Sequence, residues 1–170
     1  MNILLVTDAW APLVNGVART FAQVRAQCEA KGHRVDVVSP DRFRTVPCPS
    51  YPQIPLAVFP GRRLRAVLEK VRPDAVHLAT EGPLGLAARN LLVRRALPFT
   101  TSYATRFPEY LAARLPVPLR WGYAAMRWFH APSRAVMVAT ETLRRELAGH
   151  GFANLRTWSR GVDAELFRPG

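Results

Sequence analysis

The chain begins MNILLVTDAWAPLVNGV (residues 1–17), and the order of apolar and polar residues in this segment indicates the architecture of the whole protein. The apolar run Ile3–Val6 is typical of a buried strand, and it ends just before Asp8. A loop follows, and apolar residues take up helical spacing after Gly16. Ligands of open α/β sheets bind at the carboxyl ends of the strands, and helix N-termini favour anions. We therefore expect a phosphorylated or otherwise anionic small molecule to bind near Gly16.

Further apolar runs alternate with helical patterns along the rest of the chain. We predict strands at 3–7, 34–39, 54–59, 75–79, 98–102 and 135–140, with 155–159 as an optional seventh. Helical patterns cover 17–28, 64–71, 84–96 and 142–148. This alternation predicts an α/β fold, a Rossmann-like, doubly wound and mainly parallel sheet flanked by helices. We expect the proline-rich segment 47–60 to be a structured loop.

Length and composition indicate one globular domain. At 170 residues, about half of them apolar, the chain can bury a sizeable core. No apolar run approaches the ~18 residues of a membrane span, and the N-terminus lacks the basic region of a secretory signal. We therefore expect a cytoplasmic protein. Cys28 and Cys48 predict neither a disulfide framework nor a zinc site.

The net charge of +12 is carried almost wholly by arginine, since Lys31 and Lys70 are the only lysines among 24 basic residues. A surface this positive attracts phosphate groups, whether of anionic lipids, nucleotides or nucleic acids. The alternative is codon bias, because the chain is also rich in alanine and proline.

Aromatic and arginine residues are interleaved in segment 106–130. On a helix, Arg120 and Arg127 share one stripe, and Trp121 and Trp128 form the stripe beside it. Aromatic residues next to arginines suit a bilayer interface, which makes these four residues a candidate membrane surface. The alternative is a helix packed on the sheet with its arginines in water.

Several catalytic motifs are absent from the sequence, which lacks GxxxxGK[ST], GxGxxG, GxSxG, HExxH and DxD. The four histidines are scattered, and we expect each to be structural: His33, His77, His130 and His150. Asp8 and Glu81 both follow predicted strands. Each could point into a cleft at the switch point of the sheet or cap a helix or loop.

Four segments, in this order, resemble the N-terminal half of a GT-B glycosyltransferase of family 4: 6–17, 79–85, 101–110 and 160–169. Similar enzymes are retaining, and they move mannose or glucose from a nucleotide sugar to a lipid or glycan acceptor. The resemblance implies that residues 1–170 form the N-terminal, acceptor-binding half. It also implies that no metal or other cofactor is needed, with GDP-mannose or UDP-glucose as the donor.

The resemblance assigns roles to individual positions. Contact with the donor diphosphate and sugar would fall on Asn15, Gly16 and Val17, with Arg19 adding charge. Glycine lets the backbone approach the phosphates, and the amides that follow begin a helix. The acceptor cleft would be lined by Asp8, Glu81, Tyr103, Arg106 and Glu109.

The sequence departs from the family pattern in two places. It stops at Gly170, where the family crosses into a donor-binding domain with paired glutamates spaced E-x7-E, so we expect a separately made domain or part of a longer enzyme. The second departure is Ala104, which stands where the family has a histidine at the reaction centre. Alanine can neither donate a hydrogen bond nor carry a proton.

We therefore expect the acceptor-side domain of a retaining hexosyltransferase, inactive alone and peripheral on the inner face of the membrane. The alternative is a non-catalytic module that binds a lipid surface or a partner protein. Nucleic-acid binding rests on charge alone, since the aromatic residues cluster in one segment and no strand carries a stacking platform.

Overall fold

The computed structural model of the protein describes residues 1–13, 15–49, 51–113, 116–159 and 161. The strands are β1 Asn2–Val6, β2 Arg34–Val38, β3 Thr45–Cys48, β4 Tyr51–Ala57, β5 Ala75–Leu78, β6 Thr100–Ser102, β7 Ala135–Val138 and β8 Leu155–Thr157. The helices are α1 Gly16–Ala30, α2 Gly61–Val71, α3 Pro83–Arg94, α4 Phe107–Ala112, α5 Leu119–His130 and α6 Glu141–Gly149. A short 3₁₀ helix spans Pro40–Arg42. Of the segment 160–169 that contributes to the family resemblance, all but Gly161 lies outside the described residues.

The main sheet has six parallel strands in the order β2-β1-β5-β6-β7-β8. The optional strand at 155–159 is present as β8. After β2 the chain returns past β1 to place β5 on its other side, so the topological switch point lies between β1 and β5. The predicted Rossmann-like, doubly wound fold is confirmed.

The segment 45–57 differs from its prediction. The expected strand 54–59 is not in the main sheet, and the expected loop 47–60 is largely a hairpin, because β4 pairs antiparallel with β3. Pro47 lies opposite Pro55 in this pairing. Prolines lack the N–H that a central strand must donate, but a two-stranded ribbon has only edges and tolerates them.

The two faces of the sheet carry different cores. One face packs against α2 and α3 through Leu64, Leu68 and Leu84, and against α5 and α6 through Met126 and Leu147. The opposite face packs against α1, whose Phe21 is buried with Leu5, Val35, Val37 and Ala79. Successive residues of a strand point to opposite faces, so Leu4 joins the first core and Leu5 the second. Within the described residues, no helix is both long enough and apolar enough to cross a bilayer.

His77 of β5 lies on the α1 face and is fixed by two hydroxyl groups. Its Nδ1 is 2.8 Å from Thr100 Oγ1, and its Nε2 is 2.9 Å from Ser102 Oγ. The ring also lies 5.3 Å from the ring of Phe21. Burial lowers the pKa of His77 from 6.5 to about 4, because a charged imidazole would lose its hydration there. His77 is therefore a neutral structural residue at pH 7.

This depressed pKa predicts a loss of stability on acidification. Between pH 6.5 and 4 the unfolded chain binds a proton that folded His77 does not, so the free energy of unfolding falls as the pH falls. We expect a loss of at most about 3 kcal/mol across this window, reduced by the partial exposure of the ring. Urea unfolding at several pH values should show it. In His77→Gln, which keeps polar contacts to both hydroxyls, the slope should be shallower; an unchanged slope would contradict the assignment.

Candidate functional site

The loops that follow β1, β5 and β6 lie at the carboxyl edge of the sheet, around the switch point. The first loop leads into α1, whose N-terminus is capped by Asn15. Its side-chain Oδ1 accepts a hydrogen bond of 2.8 Å from Ala18 N, and the first turn contains no acidic residue. Gly16 and Arg19 are exposed, while Val17 packs partly against the core. The predicted donor residues therefore form an open helix N-terminus that suits an anion.

Asp8 is buried and anchors α3 to the loop after β1. Its Oδ1 accepts from Leu84 N at 2.8 Å, and its Oδ2 accepts from Gly85 N at 3.2 Å and from Thr80 Oγ1 at 2.8 Å. The Asp8 N–H in turn donates to Thr80 Oγ1 at 2.7 Å. Burial raises the pKa of Asp8, although these hydrogen bonds oppose the shift. Of the two interpretations of Asp8, this geometry favours the cap.

Glu81 faces His130, the last residue of α5, with 3.3 Å between Glu81 Oε1 and His130 Nε2. Both side chains are buried, and neither atom completes a hydrogen bond. His130 Nδ1 lies 2.8 Å from Thr101 Oγ1, and Ser133 Oγ donates to the His130 carbonyl at 2.7 Å. Thr101 and Ser133 therefore hold His130 beside Glu81.

This arrangement predicts different effects for two substitutions of Glu81. Glutamine keeps the size of the Glu81 side chain and a polar group beside His130, so Glu81→Gln should leave the free energy of unfolding within about 1 kcal/mol of the original. Glu81→Ala should lower it by about 2 kcal/mol, because it leaves a cavity beside the buried imidazole. Urea unfolding at pH 7 measures both. Equal losses in the two variants would show that the carboxylate itself, and not the volume of the side chain, stabilises this contact.

Arg106 and Glu109 are brought together with residues of α5 and α6. Arg106 binds Glu146 through both terminal nitrogens, at 2.8 and 2.6 Å, and lies 3.3 Å from Glu109. The Tyr123 hydroxyl donates to Glu109 at 2.6 Å, and its ring stacks on His150 with centroids 3.6 Å apart. Because Arg106 is 54% exposed, the ion pair adds little stability but fixes the loop after β6 against α6.

Tyr103 connects this network to the Glu81–His130 pair. Its ring is buried 5.9 Å from that of His130, and burial together with the nearby Glu109 and Glu81 carboxylates raises its pKa. Among the described residues, five buried side-chain polar atoms have no hydrogen-bond partner, and four belong to this region: Glu81 Oε1, Tyr103 OH, Glu109 Oε2 and His130 Nε2. Such atoms are rare in a stable core, which favours a functional role for this edge of the sheet. Half-buried Ala104 follows Tyr103 directly.

A cleft of about 500 Å³ opens at the same edge, between the loop after β1 and the β3–β4 hairpin. Its walls include Asp8, Trp10, Asp41, Phe43 and Gln53. Of the five predicted acceptor-cleft residues, Asp8 is the one that lines it; Glu81, Tyr103, Arg106 and Glu109 lie elsewhere along the edge. Trp10, in the loop after the first strand, is a sequence signal for this cleft, whereas the hairpin that forms the other wall was not predicted.

The predicted membrane surface lies on α5. This helix packs on the sheet through Tyr123 and Met126, as the second interpretation of the segment predicts. The tryptophan stripe takes no part in that packing, since Trp121 is 61% and Trp128 54% exposed. Arg120 and Arg127 are exposed as well, and Arg127 donates to the His150 carbonyl at 2.9 Å. The Arg89 guanidinium lies 3.8 Å from the centre of the Trp128 ring.

A parallel sheet with an open helix N-terminus and a cleft at its carboxyl edge is the architecture of a Rossmann-like domain. Residues 14–166 match the sequence profile of Glycosyltransferase Family 4, and the chain belongs to that family.

Curated relatives agree with this assignment. The chain is 27% identical to a GDP-mannose-dependent alpha-mannosyltransferase of Mycobacterium tuberculosis and 30% identical to one of Mycolicibacterium smegmatis, covering 99% of this chain and 50% of each relative. It is 29% identical to a sulfoquinovosyl transferase of Arabidopsis thaliana over 74% of this chain and 26% of that protein. The chain thus spans about half the length of the mannosyltransferases. An alpha-glucosyltransferase solved with UDP and DNA shares the fold, with a TM-score of 0.57, 11% identity, and coverage of 98% of this chain and 42% of that one.

Proposed function

We propose that this chain is the acceptor-side domain of a retaining hexosyltransferase that moves mannose or glucose from GDP-mannose or UDP-glucose to a lipid or glycan acceptor. The observation that carries the proposal is the open, Asn15-capped N-terminus of α1, which follows a loop that lines a cleft at the carboxyl edge of the sheet. Family membership and mannosyltransferase relatives that use GDP-mannose support it. The share of those relatives that the chain spans fits one half of a two-domain enzyme.

In this proposal the chain contributes positioning and electrostatic stabilisation. The bond between the anomeric carbon and the diphosphate breaks, the acceptor oxygen bonds to that carbon from the same face, and the hydroxyl proton passes to the leaving diphosphate. The unpaired N–H groups that begin α1 and the exposed Arg19 would stabilise the charge on that diphosphate. The cleft would hold the acceptor hydroxyl in line with the sugar. We propose no metal in this step.

A fusion of this chain with the donor domain of a GDP-mannose-dependent relative tests the proposal. We expect release of nucleoside diphosphate that requires both the fused donor domain and an added acceptor, whereas the 170-residue chain alone should release none. Release by the chain alone would overturn the proposal that the donor is bound by a second domain. The second candidate is a non-catalytic module, and Ala104 supports it. A folded fusion that binds the nucleotide sugar but transfers no sugar, with either alanine or histidine at position 104, would favour that candidate.

We also propose that α5 attaches the domain peripherally to anionic membranes, on the cytoplasmic side. The exposed Trp121 and Trp128 rings and the neighbouring Arg120 suit the headgroup region of a bilayer. Co-sedimentation should be strong with phosphatidylglycerol vesicles and absent with phosphatidylcholine vesicles. Trp121→Ala should weaken it several-fold, and binding that survives this change unaltered would place the membrane surface elsewhere.

We propose no nucleic-acid partner for this domain. The structural neighbour solved with DNA is 11% identical, so its likeness is one of fold. Two results together would favour a nucleic-acid-binding function instead. The chain would bind duplex DNA with an affinity that falls steeply as the salt concentration rises, and the fusion would transfer no sugar.

A further inference from the structure

The cleft between the loop after β1 and the hairpin has rigid aromatic walls. Trp10 packs against the α1-side core and Phe43 against the opposite core, yet both side chains line the cleft. Because each ring is anchored in a different core cluster, neither needs ordering when a ligand arrives. The volume of about 500 Å³ falls within the range of small-molecule sites.

The charge of the cleft is opposite in sign to the net charge of the chain. The chain carries a net charge of +12, but the residues that line the cleft in the described part of the chain include two carboxylates, Asp8 and Asp41, and no arginine or lysine. Asp8 is committed to α3, whereas Asp41 has one recorded side-chain partner, the Ser39 hydroxyl. Thr45 and Gln53 add a hydroxyl and an amide from the hairpin. Carboxylates repel phosphate, and they accept hydrogen bonds from neutral hydroxyl groups.

We propose that this cleft is a subsite for a neutral hexose ring of the acceptor, and that it discriminates against phosphate. The apolar face of the ring lies on Trp10, while ring hydroxyls donate to Asp41 and exchange hydrogen bonds with Gln53. The proposal rests on the proposed acceptor-side function and adds the class of acceptor group that is bound. It also assigns the two ligands to different places, the anionic diphosphate to the N-terminus of α1 and the neutral ring to the cleft.

Nuclear magnetic resonance of the ¹⁵N-labelled 170-residue chain tests the subsite without catalysis. We expect methyl α-D-glucopyranoside or methyl α-D-mannopyranoside to shift the indole N–H resonance of Trp10 and the amides near Asp41. Inorganic phosphate should shift amides near Gly16 and leave the Trp10 indole unmoved. No hexoside shift at Trp10 up to molar concentration, or an equal shift there with phosphate, would overturn the proposal.

Two variants make the test independent of folding. Asp41→Asn keeps the shape of the side chain but makes the group neutral, and it should weaken hexoside binding about fivefold while phosphate gains access. Trp10→Ala should weaken hexoside binding at least tenfold, whereas Glu29→Gln, which neutralises an exposed carboxylate on α1 outside the cleft, should leave it unchanged. Undiminished hexoside binding in Asp41→Asn and Trp10→Ala would refute the subsite. If hexosides bind at Trp10 but the fusion transfers nothing, the subsite stands and the proposed enzyme activity fails.

Discussion

Gly85→Ala is expected to lower the free energy of unfolding by at least about 3 kcal/mol. A Cβ at position 85 would lie 2.0 Å from the Thr80 carbonyl oxygen. That carbonyl cannot withdraw easily, because the Thr80 hydroxyl is bound to the backbone and carboxylate of Asp8, and the same carboxylate holds Leu84 N and Gly85 N. Relief of the clash would therefore break the whole anchor.

Urea unfolding of Gly85→Ala beside Gly149→Ala measures this effect. Gly149 ends α6, and a Cβ there would meet nothing within 4 Å. Alanine at 149 should be neutral or stabilising by up to about 1 kcal/mol, since it removes only the flexibility of glycine. Similar stabilities of the two variants would show that the backbone of the loop after β5 can move away from the added Cβ at little cost, despite its hydrogen bonds.

Ala104→His is expected to raise the rate of sugar transfer by the donor-domain fusion about 100-fold. The backbone at position 104 follows β6 at the carboxyl edge, next to buried Tyr103 and half-exposed to the site. An imidazole there would supply a hydrogen-bond donor and a titratable proton where the alanine methyl supplies neither. The gain should appear in kcat rather than KM, because the group acts on charge that develops in the transition state.

Nucleoside diphosphate release with and without acceptor, at matched concentrations of folded protein, gives the comparison. Ala104→Phe fills the same space without a polar group and should gain nothing over Ala104. A rate equal in the His, Phe and Ala versions would remove position 104 from the catalytic centre and leave the binding of the diphosphate to α1 as the main contribution.

The sequence predicted the parallel sheet and the α1 N-terminus because both depend on local patterns. Ile3–Val6, the loop and the helical spacing after Gly16 are contiguous, and the switch point follows from the order of strands and helices. The hairpin was missed because its prolines break the alternation that signals a strand. Those prolines are tolerated only because no further strand pairs with the ribbon within the described residues.

The details of the site depend on contacts that no local pattern records. Asp8 and Thr80 are 72 residues apart, and Glu81 and His130 meet only through the packing of α5 against the sheet. Helical spacing correctly grouped Trp121 with Trp128, but periodicity cannot tell which stripe of a helix faces the core. The acidic character of the cleft likewise depends on Asp8 and Asp41, which are distant in the sequence and meet only in the folded chain.

The anchor formed by Asp8 has a consequence for the order in which the protein becomes competent during synthesis. Among the described residues, the groups that bind the Asp8 carboxylate lie between positions 80 and 85, so this anchor cannot form until the chain as far as Gly85 has left the ribosome. Contacts of such long sequence separation form slowly, since the entropy of closing a large loop must be overcome first. The N-terminal segment is therefore made first, but the loop after β1 gains its anchor only when β5 and the start of α3 are in place.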